Sequence, residues 1–354
     1  MEIDSLYSDA VDLLKRLIEI PSLSREEDQT ASELCLFLGK NKIAHNRIGH
    51  NVWAVNKYFD DNKPTILLNS HHDTVKPNPA YTRDPFKAVV EDGKLYGLGS
   101  NDAGGSAVSL LAAFRYFYEK KNLNYNLAVA ITAEEEISGK NGIESLLPHL
   151  PKNIEFAMVG EPTLTEVAIA EKGLMVLDGM AYGKPGHAAR EEGVNAIYEV
   201  LEDIQWFKDY CFERISDTLG PVKMTVSVIQ AGKQHNVVPA ECHYVVDVRI
   251  TDEYSHEEVL QTIREHVKSK VVPRSTRLRS SAIDKNHSIV KAAEKLRKNT
   301  YGSPTMSDQA LIPYPSIKVG PGDSARSHSA DEYIGLEEIK EGIKTYIGLL
   351  EAVM

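Results

Sequence analysis

The segments TILLNSHHDTV (residues 65–75) and DGKLYGLGSNDAGG (residues 92–105) carry the pattern on which the fold and the chemistry depend. The first begins with four apolar or β-branched residues, which predicts a short buried strand that leads to His71 and Asp73. The second contains another apolar piece, then Asp102, then the start of a helical pattern. We therefore expect two strand ends to bring an imidazole and a carboxylate to one edge of one sheet, where open α/β folds bind ligands.

Strand and helix patterns alternate through the first 172 residues, which predicts an α/β layer structure. An amphipathic helix ends before Pro21. Ser24 and Glu27 form a capping-box pattern for a second helix that reaches residue 40. The other predicted elements of this part are a hairpin of strands 43–48 and 51–57 through Gly49, strands 65–68, 94–98, 126–132 and 156–159, and helices 106–120 and 142–147.

The pattern changes after residue 173. The order becomes strand 174–182, helix 193–210, strand 222–229, strand 241–250, helix 256–269 and strand 275–280. This β-α-β-β-α-β order is that of a ferredoxin-like domain. Helices 287–299 and 336–352 then return around a strand at 316–319. The predicted organisation is one domain of residues 1–172 and 284–354, interrupted by an inserted domain of residues 173–283.

Composition narrows the class of protein. The formal net charge of −11 argues against nucleic acid or an anionic membrane as partner. No apolar stretch approaches the roughly 18 residues that cross a bilayer, and the acidic N-terminus is unlike a signal peptide. Cys35, Cys211 and Cys242 are far apart and form no CxxC motif, which predicts unpaired thiols and a cytoplasmic protein.

Five short motifs place metal-type ligands after predicted strands or in loops. Each has an ordinary explanation when taken alone: His71 as a structural histidine held by Asp73, Asp102 as a helix N-cap, and the Glu134–Glu136 triplet as a solvated acidic loop. His72 is the alternative ligand if the strand register shifts by one residue. The other two ligands of this type are Glu161 after a buried strand and His328 before the last helix.

In order, the motifs read H-x-D, G-x-G-x-x-D-x-x-G, T-x-x-E-E, G-E-P and S-H-x-x-D-E. This series resembles the M20 metallopeptidase family, in the branch of the acetylornithine deacetylases and succinyl-diaminopimelate desuccinylases. The resemblance covers essentially the whole chain. It implies a zinc-peptidase-like catalytic domain with a mixed sheet between helices, and it identifies the insertion with the family's dimerisation (lid) domain. A homodimer through that domain is the corresponding expectation.

The resemblance also implies a metal site and roles in it. Asp102 would bridge two divalent metal ions, with His71 and Glu161 completing one site and Glu136 and His328 the other. Ligands of this oxygen and imidazole type suit Zn²⁺, with Co²⁺ as the alternative.

The resemblance also implies roles for two further residues and the configuration of one peptide bond. Glu135 would be the general base and Asp73 would orient His71. The Asp102–Ala103 peptide would be cis. A metal-stabilised binding protein without turnover is the rival from another class, and it has no need of a carboxylate like that of Glu135.

Three residues of the inserted domain take roles by resemblance. His187 would hydrogen-bond the developing oxyanion across the dimer, and it could equally be a histidine of an ordinary turn. Asn236 and Arg249 would bind the substrate carboxylate, although Arg249 could instead form a salt bridge between strands.

The function predicted from the resemblance is hydrolysis of an N-acyl amino acid. Glu161, where aminopeptidases of the family carry Asp, favours the deacylases. Acetylornithine deacetylase of arginine biosynthesis, or its succinyl or citrulline equivalent, is the first expectation. A succinyl-diaminopimelate desuccinylase, an acetyl-lysine deacetylase and an M20 dipeptidase are the alternatives.

Overall fold

The computed structural model describes residues 2–354, and internal contacts divide them into two compact units. The first unit extends to Ile169 and also includes Ala282–Tyr301 and Ser307–Met354. The second unit consists of Ala170–Ser281 and Gly302–Met306. The first unit is therefore built from segments on both sides of the second in the sequence.

The helices are α1 Ile3–Ile18, α2 Asp28–Lys40, α3 Gly105–Phe117, α4 Ile143–Leu146, α5 Ala196–Asp209, α6 His256–His266, α7 Ser288–Lys295 and α8 Leu336–Glu351. The strands are β1 Asn46–Ile48, β2 Asn51–Val55, β3 Thr65–His71, β4 Val89–Glu91, β5 Lys94–Tyr96, β6 Asn126–Thr132, β7 Ile154–Val159, β8 Val167–Glu171, β9 Gly173–Tyr182, β10 Gly186–His187, β11 Lys223–Ala231, β12 Val237–Val238, β13 Glu241–Ile250, β14 Lys270–Pro273, β15 Ser281–Ala282, β16 Thr300–Ser303, β17 Ser316–Lys318 and β18 Tyr333–Gly335.

The first unit is organised around a mixed sheet with the strand order β1-β2-β6-β3-β7-β17-β8. Strands β6, β3, β7 and β17 run parallel, whereas β2 pairs with β6 in the antiparallel sense. Alternate residues of β3 enter different cores, because Ile66 and Leu68 pack in the cluster that includes α1, α3 and α8, and Leu67 packs in the cluster that includes α4. The predicted mixed sheet between helices is confirmed.

The piece predicted as strand 94–98 is not in this sheet. Strand β5 lies in a separate three-stranded sheet with the order β18-β5-β4. Asp102 is therefore delivered by a turn that follows a small sheet, and the expectation of two strand ends at one edge was wrong for this residue. The alternation of apolar residues could not distinguish the two sheets, since a short strand has the same pattern in either.

The predicted capping box before α2 was also wrong. The N-cap of α2 is Glu27, whose side chain makes no cap hydrogen bond. Ser24 donates instead to Asp73 Oδ2 at 2.7 Å. The Ser24 hydroxyl therefore bonds a residue that is distant in sequence, and it does not cap α2 as the local pattern predicted.

The second unit contains an antiparallel sheet with the order β11-β13-β9-β14, and α5 and α6 share one core with it. The chain order is β-α-β-β-α-β, as the sequence pattern predicts. The last strand is Lys270–Pro273, so the prediction of a strand at 275–280 was wrong. At β9, Gly179 faces Tyr244 of β13, and a Cβ atom at Gly179 would lie 2.2 Å from the tyrosine ring.

Cys35, Cys211 and Cys242 are free thiols. Within residues 2–354, no helix combines the length and the apolar composition that crossing a membrane requires.

Candidate metal centre

Three neighbouring parallel strands deliver four of the predicted site residues to one edge of the main sheet. His71 is the last residue of β3, Glu135 and Glu136 lie in the short turn that begins three residues after the end of β6, and Glu161 follows β7. Strand β3 pairs with both β6 and β7. Because parallel strands end at the same edge, the buried ladder itself brings these side chains together.

Asp102 lies between the two predicted histidine ligands. Its Oδ1 is 3.3 Å from His71 Nε2, and its Oδ2 is 3.6 Å from His328 Nε2. The helix N-cap alternative does not apply, since the N-cap of α3 is Gly104. The Asp102–Ala103 peptide is cis, as predicted.

Each histidine faces a second carboxylate. His71 Nε2 is 3.7 Å from Glu161 Oε1, and His328 Nε2 is 2.9 Å from Glu136 Oε2. Atoms bound to one tetrahedral ion at ~2.0–2.1 Å lie roughly 3.4 Å apart, so these separations are of the size that a shared ion requires. The nitrogen and oxygen donors also suit Zn²⁺ or Co²⁺. His71, Asp102 and Glu136 form one group of donor atoms that could hold such an ion.

Glu135 also lies close to His71. Its Oε2 is 3.9 Å from His71 Nε2, and His71, Glu135 and Glu161 form one group of atoms that could hold an ion. These distances are therefore compatible with Glu135 as a ligand of an ion and also with Glu135 as a general base beside an ion.

Hydrogen bonds of Asp73 connect the end of β3 to the loop that contains Glu135 and Glu136. His71 Nδ1 is 3.1 Å from the Asp73 carbonyl oxygen and 3.3 Å from Asp73 Oδ1. The backbone N–H groups of Glu135 and Glu136 donate to the Asp73 carboxylate at 3.0 and 3.2 Å. Asp73 can thus hold Nδ1 protonated and leave Nε2 directed at Asp102.

His72 has structural partners for both ring nitrogens. Its Nδ1 is 2.9 Å from Thr30 Oγ1, and its Nε2 is 3.0 Å from the carbonyl oxygen of His50. Burial lowers the pKa of His72 to about 4. The alternative register, with His72 as the ligand, is therefore wrong.

The histidines of the site hold protons strongly. Burial disfavours the charged ring of His71, but hydrogen bonds to Asp102 and Asp73 outweigh it and raise the pKa of His71 well above its usual value. The hydrogen bond to Glu136 raises the pKa of His328 to about 9.

The pKa values of the site carboxylates are also shifted. Burial, opposed by the charge of His71 and reinforced by Asp102, raises the pKa of Glu161 to about 8. Burial also raises the pKa of Glu135 well above its usual value, with Glu161 adding to the shift. For Asp102 the hydrogen bond and charge of His71 outweigh burial and lower the pKa. Protons in the metal-free site thus offset negative charge that cations would otherwise offset.

Two of the three predicted site residues of the second unit, His187 and Asn236, lie near one another, whereas Arg249 lies near the other end of β13, opposite Leu174 of β9. His187 and Asn236 are exposed, and the N–H of Ala188 donates to the carbonyl oxygen of Asn236 at 3.0 Å. The guanidinium of Arg249 donates to both carboxylate oxygens of Asp247, at 2.8 and 3.0 Å. Arg249 therefore has an ion-pair partner on its own strand, and its role in binding substrate stays a prediction.

Two buried acids near the site had no role in the sequence analysis. Asp308 accepts from Thr132 Oγ1 at 2.8 Å, and burial raises its pKa to about 6. Glu332 accepts backbone N–H groups from the turn of Asp102, and burial raises its pKa to about 7. The motif S-H-x-x-D-E contains Glu332 and could have indicated it, whereas Asp308 follows no recognisable strand pattern.

The metal-free chain should lose stability as the pH rises from 6 to 9. His328 and Glu161 both have raised pKa values, so the folded chain holds these protons more tightly than the unfolded chain does. Stability then falls wherever the folded state binds more protons, which here is the window up to about pH 9. We expect the thermal unfolding midpoint in chelator to fall across this range, and added Co²⁺ to raise it most at the alkaline end because ligands must be deprotonated.

His328→Gln is the control for this experiment, since it removes the group that titrates near pH 9. The variant should show a shallower decline with pH. A wild-type midpoint that stays level or rises between pH 6 and 9 in chelator would contradict the protonation described above.

Comparison with known proteins gives a family and relatives. Peptidase family M20/M25/M40 matches residues 67–352. The acetylornithine deacetylase of Myxococcus xanthus is 27% identical over 310 residues, which cover 82% of this chain and 80% of the relative. Succinyl-diaminopimelate desuccinylase 2 of a Ruegeria species is 25% identical over 280 residues, which cover 74% of this chain and 70% of the relative.

Solved structures show the same fold. The aminopeptidase PepT of Bacillus cereus has a TM-score of 0.80 at 18% identity, with 98% of each chain covered. A dinuclear metal-binding M20 peptidase of Bacillus subtilis has a TM-score of 0.77 at 15% identity, with 99% of this chain and 98% of the other covered. Since the family match spans most of the sequence, the chain belongs to peptidase family M20/M25/M40 and is a hydrolase that acts on amide bonds.

Proposed function

We propose that this hydrolase removes the acyl group from an N-acyl amino acid with two divalent cations, zinc first and cobalt as the alternative. The observation that supports the two-ion site is the placement of Asp102, which has one oxygen toward His71 and the other toward His328. The dinuclear description of the Bacillus subtilis peptidase points in the same direction.

The donor groups divide into two sets. His71, Asp102 and Glu161 would hold one ion, and Asp102, Glu136 and His328 would hold the other. Cations bound there would polarise the scissile carbonyl and lower the pKa of a nearby water molecule.

We propose that Glu135 is the general base. It is held beside His71 by the hydrogen bond from its own N–H to Asp73, and its pKa is raised by burial. A general base works best when its pKa lies near the pH at which the enzyme operates. The carboxylate would accept a proton from the attacking water and return it to the leaving nitrogen.

Replacing Glu135 separates this role from metal binding. Glu135→Gln should lower kcat by roughly 10²–10⁴-fold, the usual contribution of a general base, and leave the bound-metal content unchanged. Metal content is measured by elemental analysis and kcat by release of free amine.

Glu155→Gln is the matched control, since Glu155 is an exposed glutamate on β7 that bonds Tyr125. It should keep a wild-type rate. Loss of one metal equivalent in Glu135→Gln would show that Glu135 is a ligand, and an unchanged rate would remove it from the mechanism.

The proposed substrate class is that of the acetylornithine deacetylases, working in arginine biosynthesis in the cytoplasm. The relative from Myxococcus xanthus supports it, and Glu161 in place of Asp is the form that the resemblance associates with deacylases. Succinyl-diaminopimelate desuccinylase is the second candidate, on the strength of the relative from Ruegeria.

A substrate panel tests this proposal. It contains the N-acetyl and N-succinyl forms of ornithine, citrulline and lysine, N-succinyl-diaminopimelate and several dipeptides. We expect free amine from an acyl-ornithine or acyl-citrulline, loss of activity in chelator, and recovery with Zn²⁺ or Co²⁺. Release from dipeptides alone would reject the acyl amino acid class.

We also propose a homodimer through the second unit. Strand β11 is an edge of its sheet, and it exposes Val228 and Ile229 by 42% and 51%. Helix α5 exposes the large side chains of Tyr198 and Leu201. An unpaired edge with neighbouring apolar side chains is suited to pairing with a second copy.

Ile229→Lys should shift the sedimentation coefficient from dimer to monomer, because a charge would be buried in the proposed interface. Val272→Lys is the matched control, since Val272 is 47% exposed on β14 at the other edge of the same sheet. A wild-type monomer, or a shift in both variants alike, would reject this interface.

A further inference from the structure

The carboxylate of Glu332 accepts hydrogen bonds from several backbone N–H groups of the turn that carries Asp102. Glu332 is only 2% exposed. Its Oε1 accepts the N–H groups of Asn101 and Asp102 at 2.8 and 3.0 Å, and its Oε2 accepts the N–H of Gly99 at 3.2 Å. The carbonyl oxygen of Glu332 also accepts the N–H of Gly97 at 3.0 Å.

These N–H groups need such an acceptor. Ser100 and Asn101 are fully buried, and Gly99 has a left-handed φ of +74°, so the turn cannot continue a strand ladder. A buried N–H without an acceptor costs free energy comparable to a lost hydrogen bond. One side chain therefore replaces the backbone partners that a strand or helix would have supplied.

We propose that Glu332 is a positioning residue that directs the Asp102 carboxylate to its place between two cations. This inference rests on the proposed function, because it takes Asp102 and His328 as ligands. Glu332 lies four residues after His328 in the same loop. Glu332 thus connects the turn of Asp102, which would bind both ions, to the loop of His328, which would bind only one of them.

The two ions should therefore respond differently to the loss of Glu332. His71 and Glu161 are placed by β3 and β7, which are held by their own ladders. Asp102 and His328 are placed by irregular segments that Glu332 connects. The ion that Asp102, His328 and Glu136 would share should be weakened more than the ion at His71.

The adjacent Asp331 offers a matched control. Its Oδ1 accepts the N–H groups of Thr82 and Arg83, each at 2.9 Å, and its Oδ2 accepts the Thr82 hydroxyl. It has the same kind of bonds, from the same loop, to a segment that carries none of the proposed ligands.

The experiment titrates Co²⁺ into metal-free protein and follows both the heat of binding and the visible absorption of the bound ion. Glu332→Gln has the same shape but presents an amide N–H₂ to at least one of the three donors. For this variant we expect one of two binding steps to weaken by roughly 10–100-fold, the range seen for residues that orient ligands, and the other to change by less than about threefold. Asp331→Asn should bind both ions as the wild type does.

A second readout does not depend on metal. In metal-free protein, amide hydrogen exchange over residues 97–104 should become faster in Glu332→Gln and stay unchanged over β3. If Glu332→Gln does not fold, Glu332→Asp is measured by the same two criteria, since it keeps the charge but is too short to reach all three donors.

The outcomes separate the inference from the proposed function. Wild-type affinities in Glu332→Gln, or equal weakening in Glu332→Gln and Asp331→Asn, would overturn the positioning role while leaving the two-ion site in place. A wild-type chain that binds no Co²⁺ would overturn both.

Discussion

Crowded negative charge is the constraint on which the site depends. The carboxylates of Asp102, Glu135, Glu136 and Glu161 gather around His71 and His328. Two unit charges about 4 Å apart interact by roughly 4 kcal/mol at the effective dielectric of a protein, so four carboxylates would repel strongly if nothing intervened. The fold holds Glu135, Glu136 and Glu161 there after the ends of parallel strands, and it holds Asp102 there in a separate turn. Protons or cations must then offset the charge. The hydrogen bond to Glu136 accordingly raises the pKa of His328, and burial together with Asp102 raises that of Glu161.

The residues of the site are held in two physically different ways. His71 and Glu161 extend from strands whose positions are set by regular backbone hydrogen bonds. Asp102 lies in an irregular turn whose N–H groups are satisfied by a side chain. A ladder is fixed by many weak bonds and tolerates change, whereas a turn fixed by one carboxylate depends on that residue.

Much of this could be predicted from the sequence, for identifiable reasons. Strand β6 has five consecutive apolar residues between Asn126 and Thr132 and was predicted at its observed bounds, and the ferredoxin-like order of the second unit follows from clear changes of period. The failures are equally physical. Ser24 matched a helix cap but bonds Asp73, and strand β5 looked like part of the main sheet but pairs elsewhere. Local patterns specify local structure, and they do not contain the distant partner that decides between two local possibilities.

The order of the proposed ligands along the chain has a consequence for biosynthesis. His71 and His328 are separated by the whole second unit, and β17, which pairs with β7, is also made after it. During translation the first 169 residues can supply His71, Asp102, Glu136 and Glu161, but His328 is still missing. Completion of the proposed two-ion site is therefore a late event that waits for the C-terminal segment to leave the ribosome and join a sheet begun more than 150 residues earlier.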